Sequence, residues 1–276
     1  MCGIAGCIGG RDQETVTKML DALPHRGPDD RGLHVHGDNV LGHTRLSIVD
    51  VEGGHQPILV NDGRQAIVCN GEIYNFRALR KALSPSDGFL TKSDTEVILR
   101  LYQEKGDACV RELDGMFAFA ILDGDKCLMA RDPVGIKPLY YGYLNDHLYF
   151  SSELGAMSLA GVDTVHEFPA GHYYTQESGF VRYYDIPAAA DEQMTDIEET
   201  SARIRETFIH SVKKRLLADP QIPVGSFCSG GLDSSLVAAI AAEEIPNLHT
   251  FVVGMKGNDG EVSDDIKAGR IAAEHI

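Results

Sequence analysis

The hydropathy pattern of this 276-residue chain changes its grammar once, and that change limits the fold more than any single motif does. Up to about residue 185 the sequence is a series of short β-type runs: VLGHTRLSIVD, RQAIVCN, MFAFAILD, KCLMARD, LYYGYL, HLYFSSE and GHYYTQ. Turn pairs punctuate them at Asp62-Gly63, Asn70-Gly71, Asp123-Gly124 and Asn145-Asp146. Two helical patterns interrupt, ETVTKMLDAL and SDTEVILRLYQEKG; in the latter Val97, Ile98, Leu101 and Tyr102 share one face of a 3.6-residue period. Strands and helices without strict alternation predict an α+β domain. From Ile222 the order becomes strand (IPVGSFCS), helix (LDSSLVAAIAAEEI), strand (LHTFVVGM), helix (DDIKAGRIAAEHI), the grammar of a parallel sheet with covering helices. Between the two lie a proline-, alanine- and acid-rich stretch and a long amphipathic helix carrying Ile204, Phe208, Val212 and Leu216 at every fourth position. We therefore expect one domain over 2–185, a linker over 186–196 and a second domain over 197–276. The second sheet looks cut short at two strands, with Val252 and Val253 reading as residues meant for an interior.

The bulk composition excludes some partners. Lys and Arg number 25 against 41 Asp and Glu, a formal charge of -16, which disfavours nucleic acid and anionic membrane surfaces. No apolar run approaches the ~20 residues that span a bilayer. The six cysteines form no CxxC pair, and the chain is long enough to fold without a disulfide framework. A reducing, cytoplasmic setting without a zinc site is expected, in keeping with MCGIAGCIGG, which has neither the basic residues nor the longer apolar core of a secretory signal.

The chemistry-bearing residues fall into two groups. In CSGGLDSS, Gly230 and Gly231 permit a tight turn where a strand hands over to a helix, so backbone N–H groups at the helix start make an anion site. Ser229, Ser234 and Ser235 add hydroxyls, and Asp233 suits a cation beside phosphates. No Walker A pattern occurs. The other group is dispersed. Asn70-Gly71 reads either as a hairpin turn or as a carboxamide and a backbone N–H aimed at a developing oxyanion. Arg45, between apolar neighbours, is an edge-strand arginine or a fork for a carboxylate. Ser93 and Glu96 have the spacing of a capping box, which leaves Asp94 to favour the helix dipole or to face a ligand ammonium. Cys2 ties them together. Once Met1 is removed, its α-amine, with a pKa of ~7.7–8.0, is a base that activates its own thiol. A thiol nucleophile, an oxyanion hole and clamps for a zwitterion make up the inventory for glutamine hydrolysis.

With these residues assembled, the chain resembles the glutamine-hydrolysing asparagine synthetases. The matching runs are MCGIAG, HRGPDD, GHTRLSIVD, NGEIYN, SDTEVIL, GMFAFAILD, RDPVGIKPLYYG, EFPAG and SGGLDSS, in that family's order and over nearly the whole chain. The resemblance implies a class II glutamine amidotransferase domain of the N-terminal-nucleophile hydrolase fold, an αββα sandwich. An incomplete α/β parallel-sheet domain of the ATP-pyrophosphatase type would follow. It implies Cys2 as nucleophile through a γ-glutamyl thioester, and Asn70 and Gly71 as the oxyanion hole. Arg45 would hold the glutamine carboxylate and Asp94, with Glu72, its ammonium, while Ile48 and Val49 line the pocket through their backbone. ATP and Mg²⁺ would be held by Ser229, Gly230, Gly231, Leu232, Asp233, Ser234 and Ser235, with Asp233 on the metal and Cys228 and Val253 flanking the adenine. Aspartate is the acceptor the resemblance implies, its β-carboxylate adenylated before ammonia displaces AMP. Cys228 replaces the aliphatic residue more usual there.

Other amidotransferases share the cysteine domain but lack an SGGLDSS loop, and cyclising relatives have usually lost the cysteine. A chain acting only as a glutaminase, and a non-catalytic binding module keeping the fold, are the remaining alternatives. We expect glutamine hydrolysis without asparagine formation by the 276 residues alone, and a loosely held last 50 residues or so. A homodimer is compatible with the sequence, which does not set the oligomeric state.

Overall fold

The computed structural model describes residues 1–85, 87–187, 196–255 and 263–276. They fall into two compact units, Met1–Ala188 and Ala189–Ile276. Most of the predicted linker, 188–195, lies outside the described residues.

In chain order the first unit runs β1 (Gly3–Ile8), α1 (Gln13–Asp21), β2 (Asp30–His36), β3 (Asn39–Arg45), β4 (Ile58–Val60), β5 (Gln65–Ile73), α2 (Phe76–Ala82) and α3 (Asp94–Lys105). After a 3₁₀ segment (Gly106–Glu112) come β6 (Gly115–Asp123), β7 (Lys126–Arg131), β8 (Tyr140–Leu144), β9 (His147–Ser151), α4 (Leu154–Leu159), β10 (Val165–Glu167), β11 (His172–Thr175) and β12 (Gly179–Arg182). The strands form two six-stranded sheets, ordered β10-β8-β9-β1-β3-β2 and β12-β11-β7-β6-β5-β4. Every pairing within them is antiparallel.

The run GIAGCI explains where β1 sits. It is apolar on both faces, as a strand covered on both sides must be, and every residue of it is buried. Ile4 and Ile8 join Leu41 and Phe150 against Ala66, Val68, Ala118, Ala120 and Met129 of the facing sheet. Ala5 and Cys7 point the other way, onto Val16, Met19 and Leu20 of α1 and Ala156 and Met157 of α4. On the far side, α3 packs against β5 with Val97, Ile98, Leu99 and Leu101 buried. Helices, sheet, sheet, helices: the first unit has the layer order of the expected sandwich.

Two local expectations are revised. Asn70-Gly71 is not a hairpin turn; β5 runs straight through both, pairing them with Ala118 and Phe117 of β6. Ser93 does cap α3, accepting from Thr95 N–H, but Glu96 does not return the bond. Its carboxylate instead takes the N–H groups of Leu90 and Thr91 and the Arg100 guanidinium, a buried pair.

The second unit comprises α5 (Ile197–Lys213), β13 (Gly225–Phe227), α6 (Leu232–Glu244), β14 (His249–Phe251) and α7 (Asp264–His275), with β13 and β14 parallel. Phe208, Val212 and Leu216 of the predicted stripe pack on Ile240 and Ala241, whereas Ile204 stays exposed. β14 ends at Phe251, immediately before the predicted interior pair, and Val253 is 81% exposed. Phe227 and Phe251 lie bare at 73% and 57%. These apolar faces are uncovered among the described residues.

Candidate active site

Cys2 immediately precedes β1, a strand buried at every residue. Its anchorage is fixed by residues that share no sequence neighbourhood. Ile4 and Ser152 exchange two hydrogen bonds, Ile4 N–H to Ser152 Oγ (3.0 Å) and Ser152 N–H to Ile4 O (2.9 Å). The Arg26 Nε–H donates to the Cys2 carbonyl (2.9 Å), and its Nη1 is held by Glu153 (3.0 Å). The Cys2 thiol accepts from Leu46 N–H at 3.4 Å. Burial pushes this thiol up, against the opposing pull of that N–H, the terminal amine and Arg45. Burial also lowers the terminal amine, which belongs to Met1.

One pocket gathers the dispersed residues. Cys2, Arg45, Ile48, Val49, Asn70, Gly71, Glu72 and Asp94 all line it, together with Met1, Leu46, Gly54, Ser93 and Lys137. Thus all eight residues predicted for the glutamine site come together. Three features define what the pocket can do.

The first is Asn70. Its side chain is fully buried, yet neither Oδ1 nor Nδ2 meets a protein partner. An unpaired buried amide costs roughly 1–3 kcal/mol, so the fold keeps this group at a loss unless a ligand completes it.

The second is Gly71. Residues of an antiparallel strand turn their N–H and C=O groups alternately to one edge and the other. Tyr74 N–H donates to Asp114 O, on the β6 side, while Phe117 exchanges its backbone bonds with Asp132 on the opposite side of β6. The odd-numbered residues of β5 therefore face away from β6. β4 pairs only with residues 65–67, so this edge is open from Cys69 onward. Side chains cap its flanks: Cys69 N–H donates to Gln56 Oε1 (2.7 Å), His43 Nε2 meets Cys69 O (3.1 Å), and Ile73 N–H donates to Asp94 Oδ2 (2.8 Å). Gly71 lies between these capped positions with its N–H turned to the pocket. No side chain fits there, since a Cβ would stand 2.4 Å from Met116 O and 2.8 Å from Phe117 Cα.

The third is charge. The buried Arg45 guanidinium donates to the carbonyls of Val49 (3.1 Å), Asp50 (2.7 Å) and Val51 (3.0 Å), so it shapes the loop that walls the pocket. Those three donations leave the Nε–H and one Nη1 hydrogen of its five donors uncommitted. Asp94 is buried opposite, its carboxyl raised by that burial and eased by the Ile73 N–H and Ser93 hydroxyl. Arg26, His43, Gln56 and Lys137 carry site geometry that the sequence reading did not single out. Arg26 and Lys137 sit inside HRGPDD and RDPVGIKPLYYG, and His43 is the one polar ring in VLGHTRLSIVD.

In the second unit the predicted loop is where a strand meets a helix. Gly231 is the N-cap of α6 without a side-chain cap bond, which leaves the first N–H groups of the helix for another acceptor. Gly230 has φ +81° and lies against Ala268, where a Cβ would stand 2.3 Å from the backbone. Ser234 Oγ accepts from Ser229 N–H (3.2 Å) and lies 3.1 Å from Ser229 Oγ, while Leu232, Asp233 and Ser229 are exposed. Cys228 is buried, with its Sγ 4.0 Å from Ser235 Oγ, and its N–H donates to Phe251 O (2.8 Å). Among the described residues no three His, Cys, Asp or Glu side chains are grouped to hold a metal, and no helix is long and apolar enough to cross a membrane.

A two-sheet sandwich with a cysteine at the head of its central strand, facing an unpaired carboxamide and an open strand edge, is the arrangement of an amidotransferase. Residues 1–176 match the glutamine amidotransferase domain family, and the chain belongs to it. Residues 203–276 match the asparagine synthase family. Among curated relatives, asparagine synthetase [glutamine-hydrolyzing] 3 of Arabidopsis thaliana is 41% identical over 100% of this chain and 49% of its own length. The probable asparagine synthetase [glutamine-hydrolyzing] of Schizosaccharomyces pombe is 41% identical over 92% of this chain and 49% of its own. The chain thus spans about half the length of these relatives. Among solved structures, glutamine phosphoribosylpyrophosphate amidotransferase from B. subtilis superposes with a TM-score of 0.59 at 21% identity, covering 93% of this chain and 67% of that one. That likeness establishes the fold of an N-terminal-nucleophile amidotransferase.

Proposed function

We propose that this chain hydrolyses glutamine to glutamate and ammonia at Cys2, as the glutaminase half of a glutamine-hydrolysing asparagine synthetase. The observation that carries the reading is the buried, unpartnered Asn70 carboxamide beside the open-edge Gly71 N–H, in one pocket with Cys2. With Met1 removed, the α-amine of Cys2 takes the thiol proton, and Sγ attacks the γ-carboxamide carbon. The carbonyl oxygen becomes an oxyanion held by Asn70 Nδ2–H and Gly71 N–H. Collapse expels ammonia, which carries off the proton, and leaves a γ-glutamyl thioester; water then releases glutamate and restores the thiol. Arg45, through its uncommitted N–H groups, binds the α-carboxylate, Asp94 and Glu72 bind the α-ammonium, and the Ile48–Val49 backbone lines the pocket.

For the second unit the reading is an α/β ATP-pyrophosphatase-type domain serving asparagine synthesis from aspartate and ATP, the activity in the relatives' names. The uncapped N-terminus of α6 and the close-packed Gly230 fit a polyphosphate cradled by residues 229–235, with Cys228 and Val253 beside the base. Bound there, the nucleotide would supply the adenylyl group that activates the aspartate β-carboxylate, pyrophosphate leaving, and Asp233 would be the carboxylate on its Mg²⁺. Intact-mass measurement, with glutamate release assayed with and without ATP and aspartate, tests the reading. We expect a chain lacking Met1 that releases glutamate without ATP, and a Cys2→Ser variant that releases none. A chain without Met1 that leaves glutamine untouched would overturn it.

A further inference from the structure

We infer that His43 is a positioning residue for the oxyanion hole, acting with Gln56 through the backbone of Cys69. This rests on the glutaminase reading above and adds residues to its machinery. His43 belongs to β3 in one sheet, while Cys69 belongs to β5 in the other. Its ring is fully buried, and Nε2 lies 3.1 Å from Cys69 O. A carbonyl only accepts, so Nε2 carries the proton and Nδ1 is left as an acceptor. That Nδ1 is buried with no partner. Burial keeps the ring neutral, which fixes this tautomer. A leucine would fill the space without stranding a polar atom, so packing alone does not account for an imidazole here.

What the ring gains is control of one peptide plane. The Cys69 carbonyl and the Asn70 N–H belong to the same rigid peptide unit, so the bond from His43 orients the backbone on which the Asn70 carboxamide hangs. Gln56 fixes the preceding plane through the Cys69 N–H (2.7 Å) and is itself tied to Thr95 on α3, its Nε2–H donating to Thr95 Oγ (3.4 Å). The two side chains replace the strand that would otherwise pair with β5 where β4 has ended. Without them, the edge carrying Gly71 N–H is held only by the Ile73–Asp94 bond beyond it, and both oxyanion donors gain freedom to shift.

The test uses the full 276-residue chain, with steady-state glutaminase kinetics and alkylation of Cys2 by iodoacetamide. Alkylation displaces iodide and forms no oxyanion, so it reports thiol reactivity alone. His43→Leu should lower kcat by about 10- to 100-fold, with KM for glutamine and the alkylation rate within twofold of wild type. His43→Gln, whose amide Nε2 supplies a donor at similar reach, should recover most of the lost kcat. Gln56→Met should show the same split and decides the matter if His43→Leu does not fold. Wild-type kcat in the folded variants, or kcat and alkylation falling together, would overturn the inference while leaving the glutaminase reading standing. A wild-type chain inactive on glutamine would instead remove that reading, and this inference with it.

Discussion

Gly71→Ala puts a methyl group where the fold has only backbone. The added Cβ would stand 2.4 Å from Met116 O and 2.8 Å from Phe117 Cα, both main-chain atoms of β6. Ordinary contact begins at 3.4 Å, so the strands must part by 3.4 − 2.4, about 1.0 Å, and no side-chain rotation relieves the clash. The displacement falls on the residue whose N–H faces the pocket. A misplacement of about 1 Å at a reacting centre costs on the order of 100-fold in rate. Forced overpacking costs roughly 1–3 kcal/mol of stability. Gly155, within α4, is the matched control: nothing lies within 4 Å of its added Cβ. Gly155→Ala should be neutral or stabilising by up to about 1 kcal/mol. The assay is glutamate release at saturating glutamine beside urea unfolding of the same samples. Gly71→Ala with wild-type kcat, or an equal loss in Gly155→Ala, would refute the argument that this strand edge forms the oxyanion hole.

Other expectations follow from the same geometry. Asn70→Leu removes a donor and should lower kcat by about 10²–10³-fold, yet raise the unfolding midpoint, because it also removes an unpaired buried amide; a variant both inactive and destabilised would contradict this. His43 is held near a pKa of about 4 against an ordinary 6.5, chiefly by burial and further by Arg45, with the Cys69 carbonyl and Asp30 opposing. Its neutral form therefore contributes stability above pH 6.5 that is lost as pH falls toward 4, a difference of 6.5 − 4 = 2.5 pKa units or roughly 3 kcal/mol. Urea titrations at pH 7 and pH 4 should show a smaller acid loss for His43→Gln than for wild type, and parallel losses would refute the assignment. Gly230→Ala, at φ +81° with its Cβ 2.3 Å from Ala268 backbone, should weaken nucleotide binding at least tenfold by equilibrium titration while leaving glutaminase kcat unchanged.

The sequence pointed to Cys2, Asn70, Gly71, Arg45, Glu72 and Asp94 as one candidate set because each is a residue type with narrow chemistry, and in the structure they line one pocket. It did not announce how they are held. Asn70-Gly71 carries a strong local hairpin signal, and only the pairing with β6 places both inside a strand. Arg45 reads as an edge-strand arginine or as a fork for a carboxylate; the structure buries it and commits three of its donors to carbonyls 49–51, because a loop walling a pocket needs partners for its backbone. Glu96 has capping-box spacing but is drawn to Arg100 and the Leu90–Thr91 backbone, bonds that a three-residue spacing does not encode. His43 and Gln56 reach Cys69 across 26 and 13 residues of sequence, and neither belongs to a pattern that periodicity detects. Val252 and Val253 look interior by composition, yet an interior is supplied by covering layers, which composition does not contain.

The proposed nucleophile and the proposed oxyanion hole come from different sheets, and this decides what sets their separation. Cys2 hangs from β1 and the Asn70–Gly71 pair from β5, so no loop fixes the distance between them. The intersheet layer does, where Ile4, Leu41 and Phe150 meet Ala66, Val68, Ala118 and Ala120. The small residues on the second sheet allow close approach, and Gly6 contributes from the first: a Cβ there would meet the Phe150 ring at 2.4 Å. A protein interior packs like a crystal and transmits displacement instead of absorbing it. Bulk added at Gly6, which does not line the pocket, should then spread the sheets and act on kcat as Gly71→Ala does, whereas equal bulk on the outer, helix-covered face should cost stability alone. His43, a side chain of one sheet bonded to the backbone of the other, ties the proposed oxyanion hole to the packing of the core.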